Sequence, residues 1–221
     1  MKLTVYNGSP RGEKSSSTAL LEHFLAGFLE TAGNSYEVFH LNRVNRQDEF
    51  VKAFGEAEAI ILIAPVYTDS MPAVVKTFIE SLSAYTEKEE NPPLGFILHS
   101  GFPEAVHSRY AERYFEKLAR RLNSPCTGTI VRGGSEGIRE MPNFLTKKVF
   151  GTFHELGRIY GETGKFDPPL VHSLAKRDRF SFPMRLLVRV MKPLGLTNAG
   201  WNTKLKANKM LSHSRDRPYA D

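Results

Sequence analysis

The sequence predicts an α/β fold: a doubly wound, mostly parallel sheet with a helical extension at its C-terminal end. Three observations lead there. Short strand-like segments alternate with amphipathic helical segments at a spacing that suits βαβ units. The run Ala59-Ile60-Ile61-Leu62-Ile63-Ala64 is apolar at every position, the pattern of a strand covered on both faces. Turn-forming residues close the strand-like segments, as at Asn7-Gly8-Ser9-Pro10 and Ser100-Gly101.

Taken in order, Leu3-Thr4-Val5-Tyr6 reads as the first strand. A helical pattern runs from about Ser17 to Thr31, with Leu20, Leu21, Phe24, Leu25 and Phe28 on one face, and Gly33-Asn34 stop it. Tyr36 to His40 alternates as a second strand, and Asp48 to Phe54 forms a short helix. After the apolar third strand, Pro72 opens a helix that Val74, Val75, Phe78, Ile79 and Leu82 continue. Gly95 to His99 is the fourth strand and Tyr110 to Leu122 a charged amphipathic helix. Thr127 to Val131 is the fifth strand, and Phe144 to Tyr160 the helix after it. Crossovers between parallel strands are expected to be right-handed.

Composition narrows the function classes. With 221 residues, 41% of them hydrophobic and 24% charged, the chain can bury a sizeable core, so disorder is not its main state. Its one cysteine, Cys126, excludes an intramolecular disulfide and any cysteine-rich zinc or iron–sulfur site, and suggests a reducing compartment. Met1 to Tyr6 lacks the pattern of a signal peptide, and the longest apolar run is too short to span a bilayer. The expected location is cytoplasmic. The formal charge of +6 is unevenly placed: residues 168–221 hold eleven Lys and Arg against three Asp, a net +8, which leaves −2 for the rest. Asp167-Pro168-Pro169 marks the expected boundary between a main domain, 1–167, and a basic helical extension, 168–221.

In an open α/β sheet, ligands bind beyond the carboxyl ends of the strands, at the switch point of strand order. Three loops there carry the candidate chemistry. The first, Gly8 to Thr18, holds the hydroxyls of Ser9, Ser15, Ser16, Ser17 and Thr18 together with Arg11. It runs into a helix N-terminus, whose unpaired amides and dipole favour an anion. Five hydroxyls and an arginine exceed what a helix cap requires, so a terminal phosphate is the expected ligand group. Gly8 to Ser15 also matches the nucleoside-triphosphate loop G-x-x-x-x-G-K-[ST] except at Glu13, which stands where the motif has glycine. A carboxylate there repels phosphates, and the third strand ends Ala64-Pro65 rather than in a magnesium-binding Asp, so the near-match is read as chance.

The second loop, Pro65-Val66-Tyr67-Thr68-Asp69-Ser70-Met71-Pro72, brings an aromatic, a thioether and free amides to the same edge. A flat heteroaromatic ring needs such a shelf, although Tyr67 and Met71 also read as core residues. The third, Ser100-Gly101-Phe102, permits close approach to a ring, with Phe102 flanking it.

Gly8-Ser9-Pro10-Arg11 and Ser17-Thr18, with Pro65-Val66-Tyr67 and Met71-Pro72 downstream, resemble the NADPH-dependent FMN reductase family of flavodoxin-like proteins over about the first 165 residues. The resemblance implies a five-stranded parallel sheet of order 2-1-3-4-5 with FMN at the switch point. By position it implies that Ser9, Arg11, Ser16, Ser17 and Thr18 hold the FMN phosphate, and that Pro65, Val66, Tyr67, Thr68, Asp69 and Met71 line the isoalloxazine. Ser100, Gly101 and Phe102 complete the expected cofactor set. The activity implied is hydride transfer from NAD(P)H through FMN to a small acceptor such as a quinone or flavin, and family habit implies a homodimer. The family's iron–sulfur branch carries a compact cysteine motif, which a chain with only Cys126 lacks.

Hydride transfer to a flavin needs no protein acid or base, so no catalytic side chain is expected. His99 and His107 read as structural or solvated, and Gly133 to Gly137 as either a nicotinamide-admitting loop or a flexible connection. The alternative on the same fold is a non-enzymatic flavodoxin-type electron carrier. Such carriers are usually acidic, whereas this chain has a pI near 9.4.

In the extension, Pro183 to Leu194 places Leu186, Leu187, Val190, Met191 and Leu194 on one helical face and Arg185, Arg189 and Lys192 on the other. The expected arrangement packs that apolar face on the main domain or a second subunit; contact with an anionic membrane surface comes second. Aromatics are sparse among the cations, so nucleic acid is not an expected partner.

Overall fold

The computed structural model describes all residues except 176–177, 194–197, 215 and 217–221, and it omits the side chains of 199–200. Five strands form one parallel sheet: β1 (Lys2–Asn7), β2 (Ser35–His40), β3 (Ala59–Pro65), β4 (Leu94–His99) and β5 (Cys126–Arg132). Their order is β2-β1-β3-β4-β5, as the resemblance implies. The helices are α1 (Ser16–Phe28), α2 (Gln47–Glu56), α3 (Ala73–Ser81), α4 (Arg109–Arg121), α5 (Asn143–Thr163), α6 (Pro168–Leu174), α7 (Phe182–Met191) and α8 (Ala199–Ala207).

The apolar run of β3 is buried at all seven positions because both faces of the sheet are covered. Its side chains alternate between two cores. Ile61 and Ile63 join Leu3, Val5, Ile97 and Ile130 against Phe24 and Phe28 of α1 and Phe153, Leu156 and Tyr160 of α5. Ile60, Leu62 and Ala64 join Tyr6, Phe96 and Leu98 against Phe50, Phe54, Phe78 and Phe115 of α2, α3 and α4. On the first side α1 and α5 cross with almost no space between their backbones. A Cβ at Gly27 would lie 1.9 Å from the His154 carbonyl oxygen, and one at Gly157 would lie 1.8 Å from that of Phe24. Glycine is what allows this crossing.

The chain divides into a unit from Met1 to Asp178 and a second from Arg179 to Asp221. The expected boundary at 167 moves downstream for a packing reason. Phe166 covers Gly95 and Gly128, and Leu174 of α6 is buried in the same core as α1 and α5. Asp167 caps α6 by accepting the Leu170 amide at 2.9 Å, and a proline follows at the first helical position. In the second unit the helix expected from Pro183 to Leu194 is observed as α7, ending at Met191; Leu194 lies outside the described residues.

β1 pairs with β2 on one side and β3 on the other, so strand order reverses between β1 and β3. The loops after β1, β3 and β4 therefore open at the carboxyl edge beside the switch point.

Candidate functional site at the carboxyl edge of the sheet

The loop after β1 is shaped by its own side chains. Asn7 Oδ1 accepts the Ser9 amide at 3.0 Å, and its Nδ2 donates to Thr18 Oγ1 at 3.0 Å. Thr18 Oγ1 donates in turn to the Gly12 carbonyl at 3.1 Å, where φ is +57° and glycine suits the turn. Ser15 caps α1 by accepting the Thr18 amide at 3.1 Å. With the Thr18 proton committed to Gly12, the Ser15 hydroxyl is the donor in the 3.1 Å bond between these two side chains.

Ser17 is fully buried and bonds through Oγ to His99 Nε2 at 2.7 Å. His99 Nδ1 lies 2.8 Å from Ser135 Oγ, which donates to the Ser100 carbonyl at 3.0 Å. One proton assignment satisfies this chain. Ser135 has spent its proton on Ser100, so it accepts from Nδ1–H; Nε2 is then bare and accepts from Ser17. Burial pushes the His99 pKa down to about 4, consistent with that neutral form. A single imidazole thus ties the loops after β1, β4 and β5 together.

Four of the five expected hydroxyls therefore have internal duties: those of Ser15, Ser17 and Thr18, and that of Ser9, which accepts the Arg11 amide at 3.3 Å and keeps its proton to donate. Ser17 and Thr18, expected to donate side-chain bonds to a phosphate, do not present their hydroxyls for it. The groups left are the hydroxyls of Ser9 and Ser16, the Arg11 guanidinium, and the amides of Ser16 and Ser17. Those amides open the first turn of α1, where a helix offers no internal acceptor.

A shallow crevice opens here, lined by Ser9, Arg11, Ser15, Ser16, Pro65, Val66, Tyr67, His99, Ser100, Gly101 and Glu136. It brings together eight of the expected residues: Ser9, Arg11, Ser16, Pro65, Val66, Tyr67, Ser100 and Gly101. Val66 is fixed by its amide bond to the His99 carbonyl at 2.7 Å. Tyr67 and Ser70 exchange backbone bonds of 2.8 and 3.1 Å around Thr68 (φ 49°) and Asp69 (φ 63°). Two positive φ angles make this a type I′-like turn, which is occupied by Asn-Gly far more readily than by Thr-Asp.

The other expected residues point elsewhere. Thr68 and Asp69 are exposed at the tip of that turn, with Asp69 bonded to His107 at 3.1 Å. Met71 packs against the core beneath α2, α3 and α4 rather than forming a shelf. Phe102 lies against the His107 ring, centroids 4.4 Å apart, and is not part of the lining.

The sequence reading missed Glu136. Arg11 Nη1 donates to Glu136 Oε1 at 3.1 Å, and this partner pushes the Arg11 pKa up. A second tie from the same loop runs from Arg139 to the Glu13 carbonyl at 2.9 Å. The only local signal was the Gly133-Gly134 pair: a Cβ at Gly133 would meet the Phe102 carbonyl oxygen at 2.6 Å, so the loop after β5 must pass close to the loop after β4. Glu13 itself bridges outward to Arg43 at 3.0 Å. Among the described residues, no group of three or more His, Cys, Asp or Glu is placed to hold a metal ion.

Residues 1–104 match the model of the NADPH-dependent FMN reductase family. The matched stretch is shorter than the 165 residues of the resemblance, yet it contains all three loops. No curated protein sequence matches the chain significantly. Solved structures do. One is an FMN-dependent NADH-azoreductase from Bacillus anthracis str. Ames Ancestor, in complex with FMN, at 14% identity and a TM-score of 0.57, covering 73% of this chain and 100% of that one. An NADH:FMN oxidoreductase in its apo form aligns at 14% identity and 0.56, covering 83% and 98%. The Trp repressor binding protein from Bacillus subtilis aligns at 16% identity and 0.54, covering 70% and 96%. At these identities the likeness is one of fold, and the fold is flavodoxin-like. The matched segment runs from β1 through the loop after β4 and supplies every residue of the crevice lining except Glu136.

Proposed function

We propose that the chain is an FMN-dependent NAD(P)H oxidoreductase that delivers electrons to a small acceptor such as a quinone or flavin. The observation that carries this reading is the convergence of the family segment's three loops on one crevice, with two helix-opening amides and Arg11 at one end. The donor set fits a phosphate-bearing planar cofactor. Ser9, Ser16, Arg11 and the amides of Ser16 and Ser17 would hold the phosphate, while Pro65, Val66, Tyr67 and Gly101 would line the ring. When bound, FMN would supply the redox chemistry between NAD(P)H and the acceptor.

The chain's own residues bind, orient and tune. Neutral His99 holds three loops in register from below and carries no charge into the site. Glu136 occupies the place beside Arg11 that an anion would take, so loading exchanges a carboxylate partner for a phosphate. The purified protein is expected to be yellow, or to become so with FMN, and to bleach when NADPH or NADH is added without oxygen. Failure to take up FMN, or bound flavin that both nucleotides leave oxidised, would overturn the assignment.

A further inference from the structure

We infer that α7 is a membrane-surface anchor that lays its apolar side into an anionic lipid interface. The helix Phe182–Met191 contains no buried residue, and Phe182, Met184, Leu186, Leu187 and Val190 are 42 to 71% exposed. At 100° per residue, Arg185, Arg189 and Lys192 fall within one narrow sector, and apolar side chains fill the rest of the circumference. A polar solvent face would be wider and mixed in sign. A narrow basic stripe beside a broad apolar arc suits a helix lying at the headgroup boundary, with cations reaching out to lipid phosphates.

Charge selects the partner. Residues 179–221 hold nine Lys and Arg against two Asp, a net +7. Self-association through α7 would bring two such segments together, whereas an anionic surface attracts both. Nucleic acid would satisfy the cations but leave five exposed apolar side chains in water. No helix among the described residues is long and apolar enough to cross a membrane, so α7 lies on the surface rather than spanning it. Trp201 of α8, 65% exposed, adds a side chain that favours the interface. The inference is independent of the flavin reading.

The test is flotation of the full chain with two vesicle types, phosphatidylcholine alone and phosphatidylcholine containing about a third phosphatidylglycerol. Trp201, the chain's one tryptophan, reports insertion by a blue shift of its emission. Two variants are compared, Arg185→Gln/Arg189→Gln/Lys192→Gln and Leu186→Asn/Val190→Asn, all at exposed positions. The parent is expected to float with the anionic vesicles alone, with binding lost at high salt and weakened about tenfold or more by either variant. Equal binding to both vesicle types, or none, would overturn the inference. So would a concentration-dependent dimer abolished by the apolar variant alone, which assigns the face to a second copy. Duplex DNA binding that survives the apolar variant would assign the cations to nucleic acid instead.

Discussion

His99 is the side chain on which the carboxyl-edge loops depend. Its folded pKa lies near 4 against an ordinary 6.5, so between those values the unfolded chain binds a proton that the folded chain refuses. The contribution is fully present above pH 6.5 and is lost progressively as pH falls towards 4. Across that window it amounts to about 3 kcal/mol at most. Urea midpoints measured over that range are expected to fall with pH in the parent and to flatten in His99→Asn, beyond the slope set by other groups. Equal slopes would deny His99 the neutral, buried role.

Arg11 and Glu136 make an opposed pair of predictions. Arg11→Ala removes a charge-assisted contact of about 1.5–3 kcal/mol, so FMN affinity should fall roughly 10- to 100-fold. Glu136→Gln leaves Arg11 without its carboxylate competitor. Because that pair is exposed and worth at most about 1 kcal/mol, FMN should bind up to about fivefold more tightly. Equilibrium titration by flavin fluorescence quenching checks both; weaker binding in Glu136→Gln would show that the carboxylate orients Arg11 rather than competes for it.

Among the elements, the α1–α5 crossing is the least forgiving. Alanine is the better helix former by about 1 kcal/mol, but a Cβ 1.8 Å from a backbone carbonyl must push two helices apart. Gly157→Ala is expected to destabilise by about 1–3 kcal/mol despite its propensity gain, read as a lowered denaturant midpoint. The turn after β3 has the opposite sign. Thr68 and Asp69 hold positive φ angles that a β-branched and an acidic residue adopt at a cost, so Thr68→Asn/Asp69→Gly should raise apo stability by about 1 kcal/mol.

The elements also show what a linear pattern conveys. β3 was legible because burial on both faces leaves an unbroken apolar run, and the loop after β1 stood out as a candidate because it gathers hydroxyls before a helix. The Gly27–Gly157 crossing was not, since nothing local marks two glycines 130 residues apart in sequence as neighbours. Glu136 was hidden for the same reason, and Met71 was misplaced because an apolar residue in a site loop serves a shelf or a core equally well.

For the whole molecule, the parallel sheet followed from the βαβ rhythm and its strand order and switch point from the resemblance, whereas the unit boundary followed from neither. Asp167-Pro168-Pro169 looks like a break, yet prolines at the start of a helix are compatible with its continuing into the core, and Leu174 shows that α6 does so. A chain ending after Asp178 should unfold cooperatively and keep its FMN affinity. One ending after Asp167 should lose stability by the several kcal/mol that removing buried Leu174 and its neighbours entails.

The central claim is that the turn opening α1 grips a phosphate. Titrating the full chain with FMN and with riboflavin, which lacks the phosphate, isolates that grip. The account predicts FMN binding at least about a hundredfold tighter, from two or more charge-assisted contacts. Riboflavin bound as tightly as FMN would contradict it.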